Sequence, residues 1–351
     1  MSIVSPCLTM GGMERASSTI ANELAKREFE ISFITILKKS IFFVLDEKIN
    51  LIEPNLFNAN KLDFWKTLFY IRKNVKLQDP DAVLVFGKVY ASLVCTALIG
   101  TKYTVIVSER SSPYYKWPVL QRIIQKIAFT INPPKVVICQ TQTAFEIQKK
   151  YYSRNTNFYT IPNAVRNVQF YPEVARENSI VAVGRLGEYI KGFDMLIEAY
   201  AKLNDTSWKL YLIGTTSGAN HLISRVRELN LEDKILFLGP KKNIDPYLAK
   251  SKIFVIPSRS EGFPNALIEA MAAGNACVSF DFKCGAKDVI ENGVNGLLIE
   301  NGNINELAAG ITKLQCDEVL LNNIARNALE IRAKLNVDTI SMKYAKACFF
   351  N

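Results

Sequence analysis

The sequence predicts an α/β protein built from two doubly wound parallel sheets, and three observations carry that prediction. Short apolar runs alternate with amphipathic helical runs along the chain, the pattern of parallel strands joined by crossover helices. The runs fall into two series, separated by a polar stretch over residues 162–178 that contains Pro172. The length, 351 residues, suits two domains of ordinary size, each with its own core.

In chain order, the first series has strand-like runs at 3–8, 31–36, 83–86, 105–108, 136–139 and 158–161, with a helix over 13–26. The second has runs at 180–183, 210–213, 235–238, 253–256, 276–280 and 297–299. Domains are therefore expected at 1–165 and 166–336, facing each other across a cleft. Ligands of such sheets bind at the carboxyl ends of the strands, and Gly12, Arg185, Gly214, Gly239 and Glu261 each follow a strand directly.

Composition narrows the classes of function. Hydrophobic content of 49% with 22% charged residues is that of a soluble globular protein. Residues 82–100, the best candidate for a spanning segment, are interrupted by Gly87 and Lys88, so no membrane-crossing helix is expected. The N-terminus lacks the basic segment and apolar run of a secretory signal. Seven cysteines without C-x-x-C pairing favour a reducing cytosol over a disulfide framework or zinc site.

The net charge of +10 is uneven: residues 1–165 hold 21 Lys and Arg against 12 Asp and Glu, a net of +9. That half is expected to meet something acidic. At 61–76 and 114–126, basic residues interleave with aromatics such as Phe64, Trp65, Phe69 and Tyr70. Either stretch suits an anionic membrane surface, or else an ordinary core helix with solvated lysines. Nucleic acid is not expected, since no recognition motif accompanies the charge.

The most informative segment is 257–271, P-S-R-S-E-G-F-P-N-A-L-I-E-A-M. It places Glu261 and Glu269 across the start of a helix, a geometry suited to a sugar nucleotide. Residues 253–256 read as a buried strand, 262–264 as a turn, Pro264 as the first helical residue and Gly274 as the glycine closing the helix. Leu267, Ala270 and Met271 share one face, whereas Glu269 falls off that stripe and looks back toward the loop. The N–H groups of Asn265 to Leu267 are expected to be unpaired and to point at a bound phosphate.

This segment resembles the E-x7-E signature of glycosyltransferase family 4, retaining enzymes of the GT-B fold. The resemblance extends to Gly11-Gly12-Met13-Glu14-Arg15, Ile161-Pro162-Asn163, Val183-Gly184-Arg185-Leu186, Lys191-Gly192-Phe193-Asp194 and the block 285–296. In the family's order these span residues 1 to about 335. The fold so implied is α/β GT-B, two doubly wound Rossmann-like domains, with the last helix (337–351) returning to the first.

The resemblance also implies roles. Arg185 and Lys191 would hold the diphosphate, with Gly12 letting the first domain's backbone approach it. Glu261 would bind the donor sugar's hydroxyls and steady positive charge near the reacting carbon, while Glu269 would take the ribose. Ser258, Gly262, Phe263, Pro264, Asn265 and Ala266 would complete the donor pocket, with Pro240 near the base. The family places the lysine five residues after the arginine, whereas here it is six, so a bulge in the loop is expected.

Where the family often has a histidine, this chain has Arg110; Glu109 and Arg110 become candidates for holding the acceptor. The one histidine, His221, is expected to face solvent. Without an imidazole base, the leaving diphosphate can itself take the acceptor's proton on the same face of the sugar, which retains configuration. No metal or other cofactor is expected, because Arg185 and Lys191 stand in for an ion and Asp79-Pro80-Asp81 reads as a helix-to-strand turn.

Together these imply a cytoplasmic enzyme, peripheral on the inner face of the plasma membrane. It would move a hexose or N-acetylhexosamine from a nucleotide-sugar donor, a UDP-sugar first, to a glycan acceptor on a lipid carrier. Bacterial surface polysaccharide, lipopolysaccharide included, would be the product. Alternatives are a sugar-nucleotide epimerase or phosphorylase of the same architecture, or a non-catalytic basic membrane-binding protein on a degenerate transferase scaffold.

Overall fold

A computed structural model describes residues 1–55, 63–169, 171–203, 205 and 207–349. The chain divides into two compact units, Met1–Ala164 with Val337–Asn351, and Val165–Asn336.

The first unit holds seven parallel strands: β1 (Ser2–Ser5), β2 (Ser32–Thr35), β3 (Asn50–Ile52), β4 (Val83–Phe86), β5 (Val105–Ser108), β6 (Val136–Cys139) and β7 (Asn157–Thr160). Their order is β3-β2-β1-β4-β5-β6-β7. Sequence reading misses β3, a three-residue edge strand with an exposed asparagine and only two apolar residues. Strands β1, β2, β4, β5 and β6 are buried at every position, so no alternation shows in their sequences.

The crossovers are α1 (Gly12–Lys26), α2 (Phe64–Gln78), α3 (Lys88–Ala97), α4 (Val119–Ile131) and α5 (Gln142–Gln148). From β1 the order runs one way to β2 and the other way to β4 and β5. Right-handed crossovers therefore put α1 and α3 on opposite faces. Asp63 caps α2, its carboxylate accepting from the Lys66 N–H, and Thr141 caps α5 through the Ala144 N–H.

Helix α2 carries most of the first basic, aromatic stretch, of which Lys61 and Leu62 lie outside the described residues, and α4 carries only the end of the second, whose aromatics Tyr114, Tyr115 and Trp117 precede it. Helix α2 is an ordinary core helix, burying Thr67, Leu68, Ile71 and Val75 while leaving Trp65 and Phe69 exposed. Helix α4 is turned the other way. Its buried face is Gln125, Ala128 and Phe129, whereas Leu120 (69% exposed), Ile123 (51%), Ile127 (53%) and Ile131 (58%) form an apolar stripe in solvent at three-and-four spacing.

The second unit holds six parallel strands: β8 (Glu177–Val183), β9 (Lys209–Ile213), β10 (Ile235–Gly239), β11 (Ser251–Ile256), β12 (Ala276–Phe280) and β13 (Leu297–Ile299). Their order is β10-β9-β8-β11-β12-β13. Strand β8 begins inside the stretch read as a linker, because its first two residues, Glu177 and Asn178, are exposed and polar. The helices are α6 (Phe193–Tyr200), α7 (Asn220–Glu228), α8 (Asp245–Lys250), α9 (Asn265–Ala272), α10 (Ala286–Val289), α11 (Ile304–Cys316), α12 (Glu318–Ala328) and α13 (Ile331–Lys334).

The last helix, α14 (Val337–Phe349), belongs to the first unit and packs on α1. Asp338 pairs with Arg27, Phe349 stacks on Phe29 at 5.7 Å, and Tyr344 stacks on Phe86 at 6.2 Å. All seven cysteines are free thiols, five of them buried. Among the described residues no helix is long and apolar enough to cross a membrane.

Candidate functional site

The site residues of the second unit gather at the carboxyl ends of β8 and β11, neighbouring strands near the middle of the sheet. Arg185 follows β8 directly; its side chain is 66% exposed and pairs with Glu188 at 2.8 Å. An exposed pair of this kind contributes little, so the guanidinium fork can be recruited by an anion.

The extra residue between Arg185 and Lys191 is taken up by a tight 3-10 turn, Tyr189–Lys191, rather than an open bulge. The Lys191 N–H donates to Glu188 O at 2.9 Å, and the chain then passes Gly192 at φ +68°. A β-carbon on Gly192 would lie 1.9 Å from the Pro257 carbonyl oxygen, so only glycine lets this turn touch the strand end beside it.

Arg259 fastens the turn. Its N–H donates to Ile190 O at 2.8 Å, and its guanidinium stacks 3.8 Å over the Tyr189 ring and donates to both carboxylate oxygens of Asp194. Burial opposes the charged form of Asp194, but the bonds from Arg259 outweigh it and hold the carboxyl below its usual pKa. Lys191 is thereby aimed at Glu261, donating to its two oxygens at 2.8 and 3.0 Å, while the buried Ser258 hydroxyl donates to Oε1 at 2.7 Å. Ammonium, carboxylate and hydroxyl form one cluster at the strand ends.

Pro264 precedes α9 instead of being its first residue. The chain enters through a tight turn in which Asn265 N–H donates to Phe263 O at 3.0 Å and Leu267 N–H to Pro264 O at 3.1 Å. The expectation of three unpaired amides at 265–267 is therefore corrected, since the turn satisfies the first and third locally. Gly274 closes the helix at φ +77°, as the sequence suggests. Helix α9 lies against β11, β12, α12 and α13, so every residue from Leu267 to Ala272 is buried, not one stripe. Gly262, Asn265 and Ala266 stay partly exposed, while Phe263 and Pro264 are buried.

Glu269 is buried in the middle of α9, and its Oε2 accepts from Arg166 Nε at 2.9 Å. The same guanidinium forks onto both oxygens of the buried Asp245, which also accepts the Gln169 N–H at 3.0 Å. Burial works against the Asp245 carboxylate, yet the arginine and the amide outweigh it and hold its pKa below the usual value. Arg166 and Asp245 escape sequence reading because they lie 103 and 24 positions from Glu269; the faint signal is an arginine shortly after the Ile161-Pro162-Asn163 turn.

Pro240 is exposed after edge strand β10. Gly12 is exposed as the first residue of α1, in the first unit. His221 is exposed, as expected. Asp79 sits at the helix-to-strand turn before β4, held by Lys102 at 2.7 Å and the Tyr103 hydroxyl at 2.8 Å. Among the described residues no group of three or more His, Cys, Asp or Glu is arranged to hold a metal ion.

Glu109 and Arg110, read as acceptor residues, lie in the first unit, the first buried and the second partly exposed. Glu109 follows β5, is 2% exposed, and accepts from the Tyr152 hydroxyl at 2.6 Å. Burial pushes its carboxyl above the usual pKa despite the Lys88 charge and the tyrosine bond. Arg110 is bonded to Asn163 and to the Tyr344 hydroxyl and lies over the Phe86 ring at 4.9 Å. Both side chains make internal contacts, yet Glu109 Oε2 and Arg110 Nε have no hydrogen-bond partner among the described residues, and Arg110 stays partly exposed.

Two parallel sheets in this order have the GT-B fold, and comparison with known proteins agrees. Residues 166–331 match the family described as "Glycosyl transferases group 1". A glycosyltransferase of Haemophilus influenzae is 30% identical over 316 residues, covering 89% of this chain and 87% of that protein. The N-acetylgalactosamine-N,N'-diacetylbacillosaminyl-diphospho-undecaprenol 4-alpha-N-acetylgalactosaminyltransferase of Campylobacter jejuni is 28% identical, covering 93% of each. The crystal structure of Anabaena Alr3699/HepE in complex with UDP superposes with a TM-score of 0.83 at 19% identity, covering 98% of both chains. The chain belongs to the group 1 glycosyltransferases and is a glycosyltransferase.

Proposed function

We propose that this glycosyltransferase is a retaining enzyme of the family 4 type. In this reading it moves a hexose or N-acetylhexosamine from a nucleoside diphosphate sugar, a UDP-sugar first, to a lipid-linked glycan of a bacterial surface polysaccharide. The observation that carries the proposal is the Lys191–Glu261–Ser258 cluster with the exposed Arg185 guanidinium beside it at the ends of β8 and β11. Breaking a glycosyl–phosphate bond demands neutralisation of the departing diphosphate and support for a cationic sugar. Arg185 and Lys191 supply the first, and Glu261 the second.

Glu261 begins bound to Lys191 and Ser258, so its charge is held in place before donor arrives. When a diphosphate draws the ammonium toward itself, the carboxylate is released toward the sugar's hydroxyls and positive carbon. Glu269, fixed by Arg166, is assigned to the ribose. The leaving diphosphate takes the acceptor's proton on the face it departs from, so the new bond retains configuration and no protein base or metal ion is used.

Support for the donor and acceptor comes from the relatives: the Anabaena structure contains UDP, and the Campylobacter enzyme is named for a diphospho-undecaprenol glycan. Support for a membrane partner comes from the outward apolar stripe of α4, interleaved with Arg122 and Lys126, in the half that carries a net charge of +9. In this reading the enzyme works in the cytoplasm, at the inner face of the plasma membrane.

A thermal-shift screen against UDP, GDP, ADP and dTDP sugars tests the donor, since a ligand at 100 times its Kd stabilises by about 2.7 kcal/mol. Transfer of the label from the best donor to lipid diphosphate glycans, with the anomeric product read by NMR, tests the rest. Inversion of configuration, or release of free sugar phosphate in place of transfer, defeats the proposal.

A further inference from the structure

Arg110 is a cation without an anion. It lies just beyond β5, keeps part of its surface in solvent, and pairs with no carboxylate among the described residues. Its hydrogen-bond partners are both neutral, the Asn163 Oδ1 and the Tyr344 hydroxyl. A guanidinium carries five N–H donors, of which these bonds use two. Other part-buried arginines are provided for. Arg166 meets Asp245 and Glu269, Arg259 meets Asp194, and Arg176, which also lacks a carboxylate, donates to the backbone carbonyls of Leu248, Ser251 and Ala273. Burial holds Arg110 below its usual pKa with only Tyr344 opposing, whereas for Arg166 burial is outweighed by its two carboxylates. Taking a charge out of water is costly unless it is paired. The chain supplies no pair here, which leaves that part to a ligand.

The place suits one. Arg110 lies 4.9 Å over the ring of Phe86, the last residue of β4, and Ser108, the last of β5, bonds the Tyr344 hydroxyl at 3.0 Å. Gln140 follows β6 and donates to the same Asn163 oxygen at 2.7 Å, while Asn163 itself lies just beyond β7. Neighbouring strands β4 to β7 thus bring their carboxyl ends to one guanidinium, at the edge where open α/β sheets take their ligands. These contacts fix the fork without neutralising it. Glu109, next in sequence, does not serve it, since its Oε1 accepts from Tyr152 and the cation acting on it is Lys88.

We infer that Arg110 docks an oxyanion, a carboxylate or a phosphate, carried by a sugar substrate of the first unit. A guanidinium fork matches the paired oxygens of either group, whereas a neutral sugar leaves its charge unpaired. The inference rests on the transfer reading only in taking the ligand to be a sugar.

Calorimetric titration of the full chain with methyl glucuronide, glucose 6-phosphate and methyl glucoside tests this without a donor nucleotide or a transfer step. At least one anionic sugar binds about tenfold tighter than the neutral one, the low end of what hydrogen bonds to a charged group contribute. The carboxylate and phosphate arms tell the two sources apart. Arg110→Gln removes the preference, and Arg110→Lys, which keeps a cation among the same acceptors, reduces it because an ammonium cannot fork. The lysine variant decides the matter if the glutamine variant does not fold. Arg185→Ala leaves the preference in place, since that arginine belongs to the second unit. The inference is overturned by absent or equal binding of the three sugars, by a preference unchanged in the Arg110 variants, or by one lost in Arg185→Ala and kept in Arg110→Gln. A thermal shift with UDP-sugar that persists beside any of those results leaves the transfer reading standing.

Discussion

Replacing Arg166 with methionine tests the account of Glu269 most directly. The substitution keeps an apolar stem and removes a guanidinium that serves two carboxylates, Asp245 and Glu269, each with 6% of its side chain exposed. Removing one partner of a buried pair costs about 3–5 kcal/mol. Because 27% of the Arg166 side chain reaches solvent, the lower end, about 3 kcal/mol, is expected. For a unit of this size that lowers Tm by roughly 6–12 °C.

The effect should depend on pH with a definite sign. In the folded protein Asp245 titrates below its usual 3.8, so its contribution to stability is full above that value and is lost as pH falls through the lower, folded pKa. Without Arg166, burial becomes the leading influence and raises the carboxyl instead, so the variant is penalised at neutral pH and relieved by protonation. The gap in Tm between wild type and variant is therefore widest at pH 7 and narrows toward pH 4. Trp208, buried in the second unit, reports its unfolding by fluorescence once Trp65 and Trp117 are changed to phenylalanine. A gap under about 2 °C at pH 7, or one that stays constant down to pH 4, refutes the reasoning.

Three further outcomes are expected. Glu261→Gln lowers kcat by about 100-fold or more with nucleotide affinity little changed, because its charge acts on the reacting sugar; comparable losses in donor Kd and kcat would contradict that division. Arg185→Ala raises the transition-state barrier by roughly 2–4 kcal/mol while EDTA leaves the wild-type rate intact, and rescue of an EDTA-treated enzyme by Mg²⁺ or Mn²⁺ would show that an ion, not the arginine, meets the diphosphate. Vesicles containing anionic lipid sediment the protein at low salt, and changing Leu120, Ile123 and Ile127 to serine weakens this at least about tenfold by removing three apolar anchors; equal sedimentation with neutral vesicles would reject the electrostatic part.

The sequence alone determined the two sheets and the placing of Arg185 and Glu261 after strand ends, and the family resemblance added Lys191 and Ser258. Buried parallel strands are short continuous apolar runs, and site residues that follow them directly are placed by the strand itself. What it could not determine rests on contacts between distant positions. The turn that absorbs the extra residue before Lys191 is set by Arg259, Asp194 and the close approach of Gly192 to Pro257, none of which local pattern encodes. The bond that Glu109 accepts comes from Tyr152, 43 positions away, and Arg110 bonds to Tyr344 of α14, 234 positions away. The orientation of α4 was equally hidden. Its periodicity announces an apolar face, but a helix alone does not specify which side is buried, and here Gln125 turns inward while Leu120, Ile123, Ile127 and Ile131 meet solvent. Periodicity fixes which residues share a face, whereas the side that is buried depends on what the remaining chain packs against it.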